Sequence, residues 1–483
     1  MKILIATSEA VPYVKTGGLA DVTGALLKAL RGLKQDASLI LPLYSSTRNN
    51  FKLYNTGKSV SIQMGQLKKS AGIWASDRSL TPKSYFVDCT DLYDRPELYG
   101  TGQSEYPDNA LRFGFFSRAV LETCKVMKLK PDVIHCNDWQ TGMLPLYLRT
   151  FYRKSRYLMK TATLFTIHNL GYQGIFDSTD IKYTGIGWNF FTPDGIEFYG
   201  KMNYMKAGLI YSDLLTAVSN TYADEILTPE NGFGLDGVLR NRKDDLSGVI
   251  NGIDYDKWDP MKDELIPAKY GPESLNFKSK CRKILVDRTG IDDAGLPLFG
   301  IVSRLSSQKG LDLVLRSLDK LFGMKVNLIV LGKGEVYYES AFRAAAEKYK
   351  GRLFVKTGFD ESLSHLIYSG CDFFLMPSKY EPCGLGQMIS MKYGTIPVAR
   401  RTGGLADTIQ DYNHMLSEGT GFLFSDFTPE ALQHSVKRAI SVFNDRKRMK
   451  KLVFDAMSSD FSWKKSAGRY LELYKKVMEK VTR

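Results

Sequence analysis

The sequence predicts an α/β fold with two doubly wound domains, each built on a parallel sheet covered by helices. Short, fully apolar runs such as Phe373–Met376 alternate with amphipathic helical stretches along the chain, which is typical of strands buried on both faces. Loops rich in glycine and charged residues follow several of these runs. Ligands of open α/β sheets bind beyond the carboxyl ends of the strands, so these loops are the candidate binding elements. At about 150 residues per domain, the 483 residues predict two large domains or three small ones.

Composition excludes several functional classes. The formal net charge is +14, but the basic residues are dispersed and no nucleic-acid-binding motif accompanies them, so we expect a solvated basic surface and no nucleic-acid partner. No apolar run is long enough to span a membrane, and Glu9 ends the first apolar run, which predicts a strand and not a signal peptide. Six cysteines without paired spacing indicate a reducing, cytoplasmic compartment. With five histidines and no His/Cys cluster, we expect no metal site and no cofactor.

Residues 1–250 are predicted to form the first domain. The opening strand, Ile3–Ala6, leads into Lys15-Thr16-Gly17-Gly18 and then into a helix with regularly spaced leucines. The glycine pair allows the backbone to approach a ligand closely, and the lysine adds a positive charge. Two further strands end at Asp138 and at His168, so both side chains are predicted to lie at the ligand-binding edge of the sheet.

Residues 46–110 interrupt this alternation of strands and helices. They are polar, are broken by glycine and proline, and contain several aromatic residues, among them Tyr85 and Phe86. We interpret the segment as an insertion or as mobile loops on the side where an acceptor sugar would bind, because sugars stack on aromatic rings. Core packing is the commoner use of aromatic rings, and it stays open as the alternative.

A second alternating series predicts the second domain at residues 298–462. The preceding residues, 251–297, are rich in Asp, Lys, Pro and Gly, and we interpret them as a linker that includes a helix. The first strand of the series leads to a loop that carries two cations, Arg304 and Lys309. Two cations on one strand-to-helix loop make this loop a candidate for binding an anionic ligand.

The run at Phe373–Met376 leads into a loop that carries Glu381 and Gly384, and then into a helical pattern. A strand, a loop and a helix N-terminus in this order form an anion-binding site. A carboxylate at such a site is unfavourable unless it faces something other than phosphate. The hydroxyl groups of a sugar would suit Glu381, and a solvated loop residue is the other interpretation.

Taken together, these stretches resemble bacterial glycogen synthases and plant starch synthases, which are retaining glucosyltransferases of the GT-B type with two Rossmann-like domains facing a deep cleft. The resemblance implies transfer of glucose from ADP-glucose, or alternatively UDP-glucose, to the non-reducing 4-hydroxyl of an α-1,4-glucan. Each matching block is modest, but their order is specific and they extend over nearly the whole chain: Lys15–Asp21, Asn137–Thr141, His168–Gly174, Met202–Asp213, Gly232–Arg242, Ile250–Pro260, Val302–Leu313, Gly358–Leu385 and Arg400–Thr408.

The resemblance implies catalytic roles residue by residue. Lys15, with Gly17 and Gly18, would face the phosphates of the donor, and Arg304 and Lys309 would bind the diphosphate. The expected catalytic residues share a place just beyond predicted strand ends, and they are Lys15, Asp138, His168, Arg304, Lys309 and Glu381.

The remaining roles concern the sugar. Glu381 would hold the glucose hydroxyls, with His168 and Asn251 on the other side of the ring. Asp138 matches an acidic residue that lies near the reacting centre in this family.

The nucleotide is expected on a further set of residues. Phe359 would stack on the base, while Gly384 and Leu385, next to Cys383, would offer backbone N–H groups to the diphosphate.

Three positions depart from the family pattern. Lys379-Tyr380 stands where Arg-Phe is usual, Gly386 stands where Thr or Asn is usual, and Phe359 stands where a tyrosine often stacks on the base. Stacking by Phe359 survives without the hydroxyl contact. No charged catalytic group is lost.

The tail, residues 463–483, has the pattern of an amphipathic helix. In chains similar to this one the C-terminal helix packs back on the first domain, and we expect the same here because its apolar stripe needs a partner.

Two mechanisms and two rival functions stay open. In the favoured mechanism the leaving phosphate takes the proton of the acceptor hydroxyl on the same face of the sugar. In the other, Glu381 is a nucleophile. A sucrose- or trehalose-forming transferase would often carry a second glutamate for the ribose, where this chain has Met388-Ile389-Ser390. The second rival is a paralogue that binds glucan without catalysis. Such a protein would not need the three cations Lys15, Arg304 and Lys309.

Overall fold

The computed structural model describes residues 1–79, 83–101 and 104–482 and divides into two compact units. Unit 1 comprises residues 1–218 and 223–249 together with the chain from Trp463 onward, and unit 2 comprises Ser219–Tyr222 and Ile250–Ser462. The stretch that we predicted as a linker, 251–297, thus lies within unit 2. The predicted C-terminal helix lies in unit 1, and its last predicted residue, Arg483, is outside the described residues.

The strands and helices alternate along the chain. In chain order the strands are β1 (Lys2–Ala6), β2 (Asp36–Pro42), β3 (Tyr54–Met64), β4 (Leu67–Ala75), β5 (Ser84–Asp88), β6 (Gly100–Thr101), β7 (Ser104–Glu105), β8 (Val133–Asn137), β9 (Ala162–Ile167), β10 (Ile175–Asp177), β11 (Glu197–Phe198), β12 (Lys201–Asn203), β13 (Leu214–Ala217), β14 (Leu246–Gly248), β15 (Leu298–Val302), β16 (Asn327–Gly332), β17 (Leu353–Thr357), β18 (Phe373–Met376), β19 (Ile396–Arg400) and β20 (Phe422–Phe424).

The α-helices are α1 (Gly18–Gly32), α2 (Ser45–Asn50), α3 (Thr90–Tyr93), α4 (Asn109–Val126), α5 (Met143–Phe151), α6 (Tyr204–Tyr211), α7 (Asn220–Glu225), α8 (Asp236–Asn241), α9 (Lys278–Thr289), α10 (Leu311–Gly323), α11 (Val336–Lys348), α12 (Glu361–Gly370), α13 (Gly386–Lys392), α14 (Gly403–Thr408), α15 (Pro429–Phe443), α16 (Arg446–Met457) and α17 (Trp463–Thr482). Among the helices of the described residues, none combines the length and the apolar character that crossing a membrane requires.

The main sheet of unit 1 reverses its strand order at one place. Over the described residues it has nine strands in the order β14-β13-β9-β8-β1-β2-β5-β4-β3. The pairs from β14 to β5 are parallel, while β4 and β3 add an antiparallel edge. The chain winds from β1 towards β5 in one direction and from β8 towards β14 in the other. The reversal between β1 and β8 is a topological switch point, where ligands of such sheets bind.

Residues 46–110 require a correction. Residues 80–82, 102 and 103 of this segment lie outside the described residues. Much of the described part is regular structure and not mobile loop, because β3, β4 and β5 extend the sheet. The side chains of Tyr85 and Phe86 are buried in the core, and they are not presented to a sugar. The sequence carries a signal for β3, since apolar and polar residues alternate over Val60–Met64, and a period of two is typical of a half-buried strand. The structure buries and exposes these side chains in turn.

Unit 2 repeats the doubly wound arrangement. Its six strands have the order β17-β16-β15-β18-β19-β20, and all described pairs are parallel. The central strands β15 and β18 are apolar and buried, as strands covered by helices on both faces must be. The switch point of this sheet lies between β15 and β18. The two sheets confirm the predicted α/β class with two Rossmann-like units.

The C-terminal helix α17 packs on the sheet of unit 1. Its residues Tyr470, Tyr474 and Val477 are buried. The hydroxyl of Tyr474 shares a hydrogen bond of 2.8 Å with Nδ1 of His135, whose Nε2 lies 2.6 Å from the hydroxyl of Thr166. Burial lowers the pKa of His135 to about 3, so its ring is neutral. His135 therefore belongs to the core of unit 1.

This hydrogen bond predicts the effect of Tyr474→Phe. The substitution keeps the ring but leaves a buried nitrogen of His135 without its partner, which costs about 1–3 kcal/mol. We expect a lower midpoint in thermal or denaturant unfolding. Tyr337→Phe, at an exposed position on α11, is the matched control and should leave the midpoint unchanged. Equal midpoints for all three proteins would contradict the prediction.

Candidate functional site

The glycine loop that follows β1 is held in place by Glu9, which is buried. One carboxylate oxygen of Glu9 accepts hydrogen bonds from the backbone N–H groups of Thr16 at 2.5 Å and Gly17 at 3.2 Å. The other accepts from the hydroxyls of Thr16 at 2.7 Å and Tyr99 at 2.6 Å. Sequence reasoning used Glu9 only as the end of an apolar run and missed this function, since its partners are 7 to 90 positions away.

Lys15, Gly17 and Gly18 lie at the surface of this loop. The ammonium group of Lys15 is 2.7 Å from the carboxylate of Asp21, and its side chain is 44% exposed. A Cβ atom added to Gly17 or Gly18 would meet nothing within 4 Å. The glycines therefore border open space, as a backbone that is approached by a ligand requires.

Asp138, directly after β8, is a buried carboxylic acid with a strained backbone. Its φ is 54°, in the left-handed region that few residues other than glycine adopt. Oδ1 accepts a hydrogen bond of 2.7 Å from the backbone N–H of His168. Burial, with a smaller contribution from the charge of Glu9, raises the pKa of Asp138 to about 7. Backbone strain and a shifted pKa at one residue are typical of functional sites.

His168 is fixed as a neutral ring with a defined tautomer. Its Nε2 lies 2.9 Å from Oδ1 of Asn137, while the amide nitrogen of Asn137 donates to the carbonyl of Ala6 at 3.1 Å. Because the Asn137 oxygen can only accept, Nε2 of His168 must carry the proton, and Nδ1 is left as an acceptor. Burial lowers the pKa of His168 to about 3, so the ring stays neutral.

In unit 2, Lys309 and Glu381 form a buried ion pair between the loops that follow β15 and β18. The ammonium group is 2.8 Å from Oε1 and 2.7 Å from Oε2. The hydroxyl of Ser378 donates to Oε2 at 2.8 Å. Glu381 is only 5% exposed. The pair explains how a carboxylate can lie on a loop that we predicted to bind an anion, because its charge is already compensated.

Gly310 allows these two loops to approach each other. Its φ is 65°, and an added Cβ would lie 1.8 Å from the carbonyl oxygen of Pro377, so no other residue fits. Gln308 links the same loops, since its side-chain nitrogen donates to the carbonyl of Tyr380 at 3.3 Å. Arg304 Nη2 lies 3.4 Å from Oε1 of Gln308. Both predicted cations thus belong to one braced loop.

Asn251 and Cys383 meet at the same edge of unit 2. Asn251 hydrogen-bonds to the sulfur of Cys383, and burial raises the pKa of this thiol to about 12, so it is uncharged. Asn251 is 4% exposed, yet among the described residues its Oδ1 has no hydrogen-bond partner. A buried oxygen without a partner is unfavourable and indicates a position that a ligand would satisfy.

The two copies of the Thr-Gly-Gly-Leu-Ala-Asp motif serve different purposes. In the copy at Thr402–Asp407, a Cβ on Gly404 would lie 2.1 Å from the carbonyl oxygen of Cys383. The N–H of Gly404 donates to the carbonyl of Glu381 at 3.1 Å. This copy therefore supports the Glu381 loop, whereas the copy at Thr16–Asp21 borders open space.

The remaining predicted residues lie on neighbouring loops of unit 2. Phe359 follows β17 and is 84% exposed, so its ring is accessible to a base. Gly384 has a φ of 72° and Leu385 precedes α13, which begins at Gly386. Within residues 1–79, 83–101 and 104–482, no three His, Cys, Asp or Glu side chains come together in a way that could hold a metal ion.

Most of the predicted residues of each unit thus lie around its own switch point, whereas Phe359 follows the edge strand β17. In unit 1 the loops after β1 and β8 carry Lys15 and Asp138, with His168 beyond the neighbouring strand β9. In unit 2 the loops after β15 and β18 carry Arg304, Lys309 and Glu381. Chemically, unit 1 offers a lysine, a buried acid and a neutral imidazole, and unit 2 offers cations together with a compensated carboxylate.

Comparison with known proteins identifies matches over both units. Residues 2–241 match the family model of the starch synthase catalytic domain, and residues 290–453 match that of group 1 glycosyl transferases. The glycogen synthase of Thermodesulfovibrio yellowstonii is 44% identical, over 98% of this chain and 97% of its own length. That of Geotalea daltonii is 45% identical, over 99% of each chain.

Solved structures match as well. The catalytic domain of starch synthase IV from Arabidopsis thaliana bound to ADP and acarbose superposes with a TM-score of 0.91 and 32% identity, over 100% of this chain and 99% of that one. A sucrose-phosphate synthase from Thermosynechococcus elongatus gives a TM-score of 0.60 at 15% identity, over 99% of each chain. The latter likeness concerns the fold alone.

The shifted pKa of Asp138 predicts a pH-dependent stability. Because the folded pKa is raised from 3.8 to about 7, the folded state holds the proton more tightly, so stability is lost as the pH rises between these values. Asp138→Asn keeps the acceptor oxygen, cannot ionise and has nearly the same shape, so the backbone strain should be the same in both proteins. We expect its advantage in thermal midpoint over the natural protein to grow between about pH 4 and about pH 7 and then to level off.

Asp287→Asn, at an exposed position on α9, is the control for this experiment and should show no such advantage. A difference in midpoint between Asp138→Asn and the natural protein that does not vary with pH would show that Asp138 is not the raised acid.

Proposed function

This chain belongs to the family of bacterial glycogen synthases and starch synthases, and we propose that it transfers glucose from ADP-glucose to the non-reducing 4-hydroxyl of an α-1,4-glucan with retention of configuration. It is a hexosyltransferase. An adenine donor is supported by the ADP bound to the related Arabidopsis domain, and UDP-glucose is the alternative. We include a cytoplasmic location, since all six cysteines are free and buried, which suits a reducing compartment.

The observation that carries the proposal is the compensated carboxylate of Glu381 at the switch point of unit 2. A buried, ionised carboxylate can only accept hydrogen bonds. Its oxygens accept from Lys309 and Ser378 and retain further lone pairs for the hydroxyls of glucose. The unsatisfied Oδ1 of Asn251 is a second acceptor for a hydroxyl in the same unit. A ligand that presents several hydroxyl donors fits these acceptors, and a phosphate does not.

The charge of the leaving diphosphate is assigned to basic side chains. We assign Arg304 and Lys309 to it from unit 2, and Lys15, with the open backbone at Gly17 and Gly18, from unit 1. Positive groups that are held in place before the reaction stabilise developing charge without reorganisation. Lys309 would contact both the diphosphate and Glu381, since its ammonium group already pairs with the Glu381 carboxylate.

The front-face mechanism is the favoured course of the reaction. The bond between the anomeric carbon and the diphosphate oxygen breaks, the acceptor 4-oxygen forms the new bond on the same face, and the leaving phosphate oxygen takes the proton of the 4-hydroxyl. Both oxygens of Glu381 are engaged by Lys309, which lowers the nucleophilicity of the carboxylate and supports a holding role. The neutral His168 is assigned to accept a hydrogen bond from a hydroxyl through Nδ1.

The donor and the metal requirement can be tested together. Purified protein should elongate a glycogen primer faster with ADP-glucose than with UDP-glucose, and NMR should show an α-1,4 linkage. Excess EDTA should leave the rate unchanged, because side chains supply the positive charge. A rate abolished by the chelator and restored by Mg²⁺, or a β-linked product, would contradict this part of the proposal.

The Lys309–Glu381 pair predicts a separation of stability from activity. Lys309→Met leaves a buried carboxylate unpaired and should lower the free energy of unfolding by about 3–5 kcal/mol. Glu381→Gln should reduce turnover by about 100-fold or more, since its charge is lost in a site that must be preorganised. The double variant should regain most of the stability and none of the turnover.

Lys348→Met breaks the exposed pair with Asp319 on the surface of unit 2, and it serves as the control. Its unfolding and turnover should stay within error of the natural protein, as exposed pairs contribute little. Near-normal turnover of Glu381→Gln would remove Glu381 from the site.

A further inference from the structure

Tyr199 occupies a position that is unfavourable for a tyrosine. Strands β11 and β12 pair antiparallel with Phe198 opposite Lys201, so Tyr199-Gly200 is a two-residue hairpin connection. The φ angles are 50° at Tyr199 and 78° at Gly200, and two positive values define a type I′ turn. Asn, Asp and Gly are favoured at the first position of this turn because they tolerate the left-handed region, whereas a bulky ring is an outlier.

The ring of Tyr199 gains little from packing in return for this strain. It is 82% exposed, and it contacts the ring of Phe198 edge to face, with centroids 4.7 Å apart. Backbone strain at a well-exposed aromatic residue is explained when the ring itself meets a ligand.

A second exposed aromatic residue with a positive φ lies on the neighbouring turn. Phe233 has a φ of 50° and is 37% exposed. A Cβ on the next residue, Gly234, would lie 3.4 Å from Cε2 of Tyr199 and 3.0 Å from Cζ of Phe198. The turn at Phe233-Gly234 therefore lies against the hairpin, and the missing side chain leaves room for the rings.

Lys206 on α6 holds the β11–β12 hairpin in place through hydrogen bonds to backbone carbonyls. This lysine is buried, and its ammonium group donates to the carbonyls of Pro193 at 2.6 Å and Glu197 at 2.5 Å. The carboxylate of Glu197 in turn accepts from the N–H of Gly200 at 2.6 Å. The exposed rings are thus carried on a fixed backbone, which reduces the entropy lost on binding.

We propose that Tyr199 and Phe233 form a stacking surface for the α-1,4-glucan acceptor. This inference rests on the proposed function, because a polymer acceptor needs contacts to sugar units other than the one that reacts. Pyranose rings present apolar C–H faces that stack on aromatic rings, and exposed Lys201 on the same hairpin can donate to their hydroxyls.

Tyr199→Asn provides the decisive test, since it removes the ring while giving the turn its favoured residue. We expect a thermal midpoint at least as high as that of the natural protein and an affinity for maltoheptaose, measured by calorimetry, that is weaker by about five-fold. Tyr199→Trp should retain the affinity. Phe454→Ala, which removes an exposed ring from α16, is the matched control and should bind maltoheptaose normally, and ADP affinity should be unchanged throughout.

Unchanged maltoheptaose affinity in Tyr199→Asn would overturn the stacking surface, and so would a lower midpoint, because the turn would then not be strained by tyrosine. The proposed function fails separately. A natural protein that binds maltoheptaose through Tyr199 but transfers no glucose would refute the glucosyltransferase activity and leave the surface standing. Normal glucose transfer, together with a maltoheptaose affinity that does not depend on the ring of Tyr199, would refute only the stacking surface.

Discussion

The ion pair between Lys309 and Glu381 is the interaction on which the candidate site of unit 2 depends. A carboxylate that is 5% exposed would be strongly unfavourable without a partner, and the loop that carries it also ends at a helix N-terminus suited to anions. The lysine resolves this conflict, but only because Gly310 lets the loop after β15 come within van der Waals distance of Pro377. Gly404 also stabilises the Glu381 loop, because its N–H donates to the carbonyl of Glu381.

In unit 1, the buried acids Glu9 and Asp138 differ in how their carboxyl groups are stabilised. Glu9 is satisfied by four hydrogen bonds and shapes the glycine loop. Asp138 is strained and buried, and its pKa is raised to about 7. A buried acid with a raised pKa lowers the stability of the folded chain at neutral pH, and such a cost is typical of residues with a functional role, as we propose for Asp138. His168, a neutral ring with its proton on Nε2, lies beside Asp138, whose carboxylate accepts the backbone N–H of His168.

Much of the fold follows from the sequence, because its signals are local. The apolar runs at β15 and β18, the glycine loops and the amphipathic α17 specify their elements through period and turn chemistry. The order of these stretches resembles that of a known family, and this resemblance predicts that Glu381, His168 and Arg304 belong to the site. The strands within 46–110 are not predicted, although apolar and polar residues alternate over Val60–Met64, because the nearby glycine and proline breaks are equally typical of loops.

The sequence by itself determined the two doubly wound units, the family and the identity of the charged groups, since each of these is recorded in short stretches of consecutive residues. Only the tertiary structure decided which groups act on one another. Lys309 and Glu381 are 72 positions apart, and Glu9 and Tyr99 are 90 apart. The sequence also could not predict that one of the two identical glycine motifs borders open space while the other packs against the Glu381 loop. What a glycine faces depends on which loop the sheet order brings beside it.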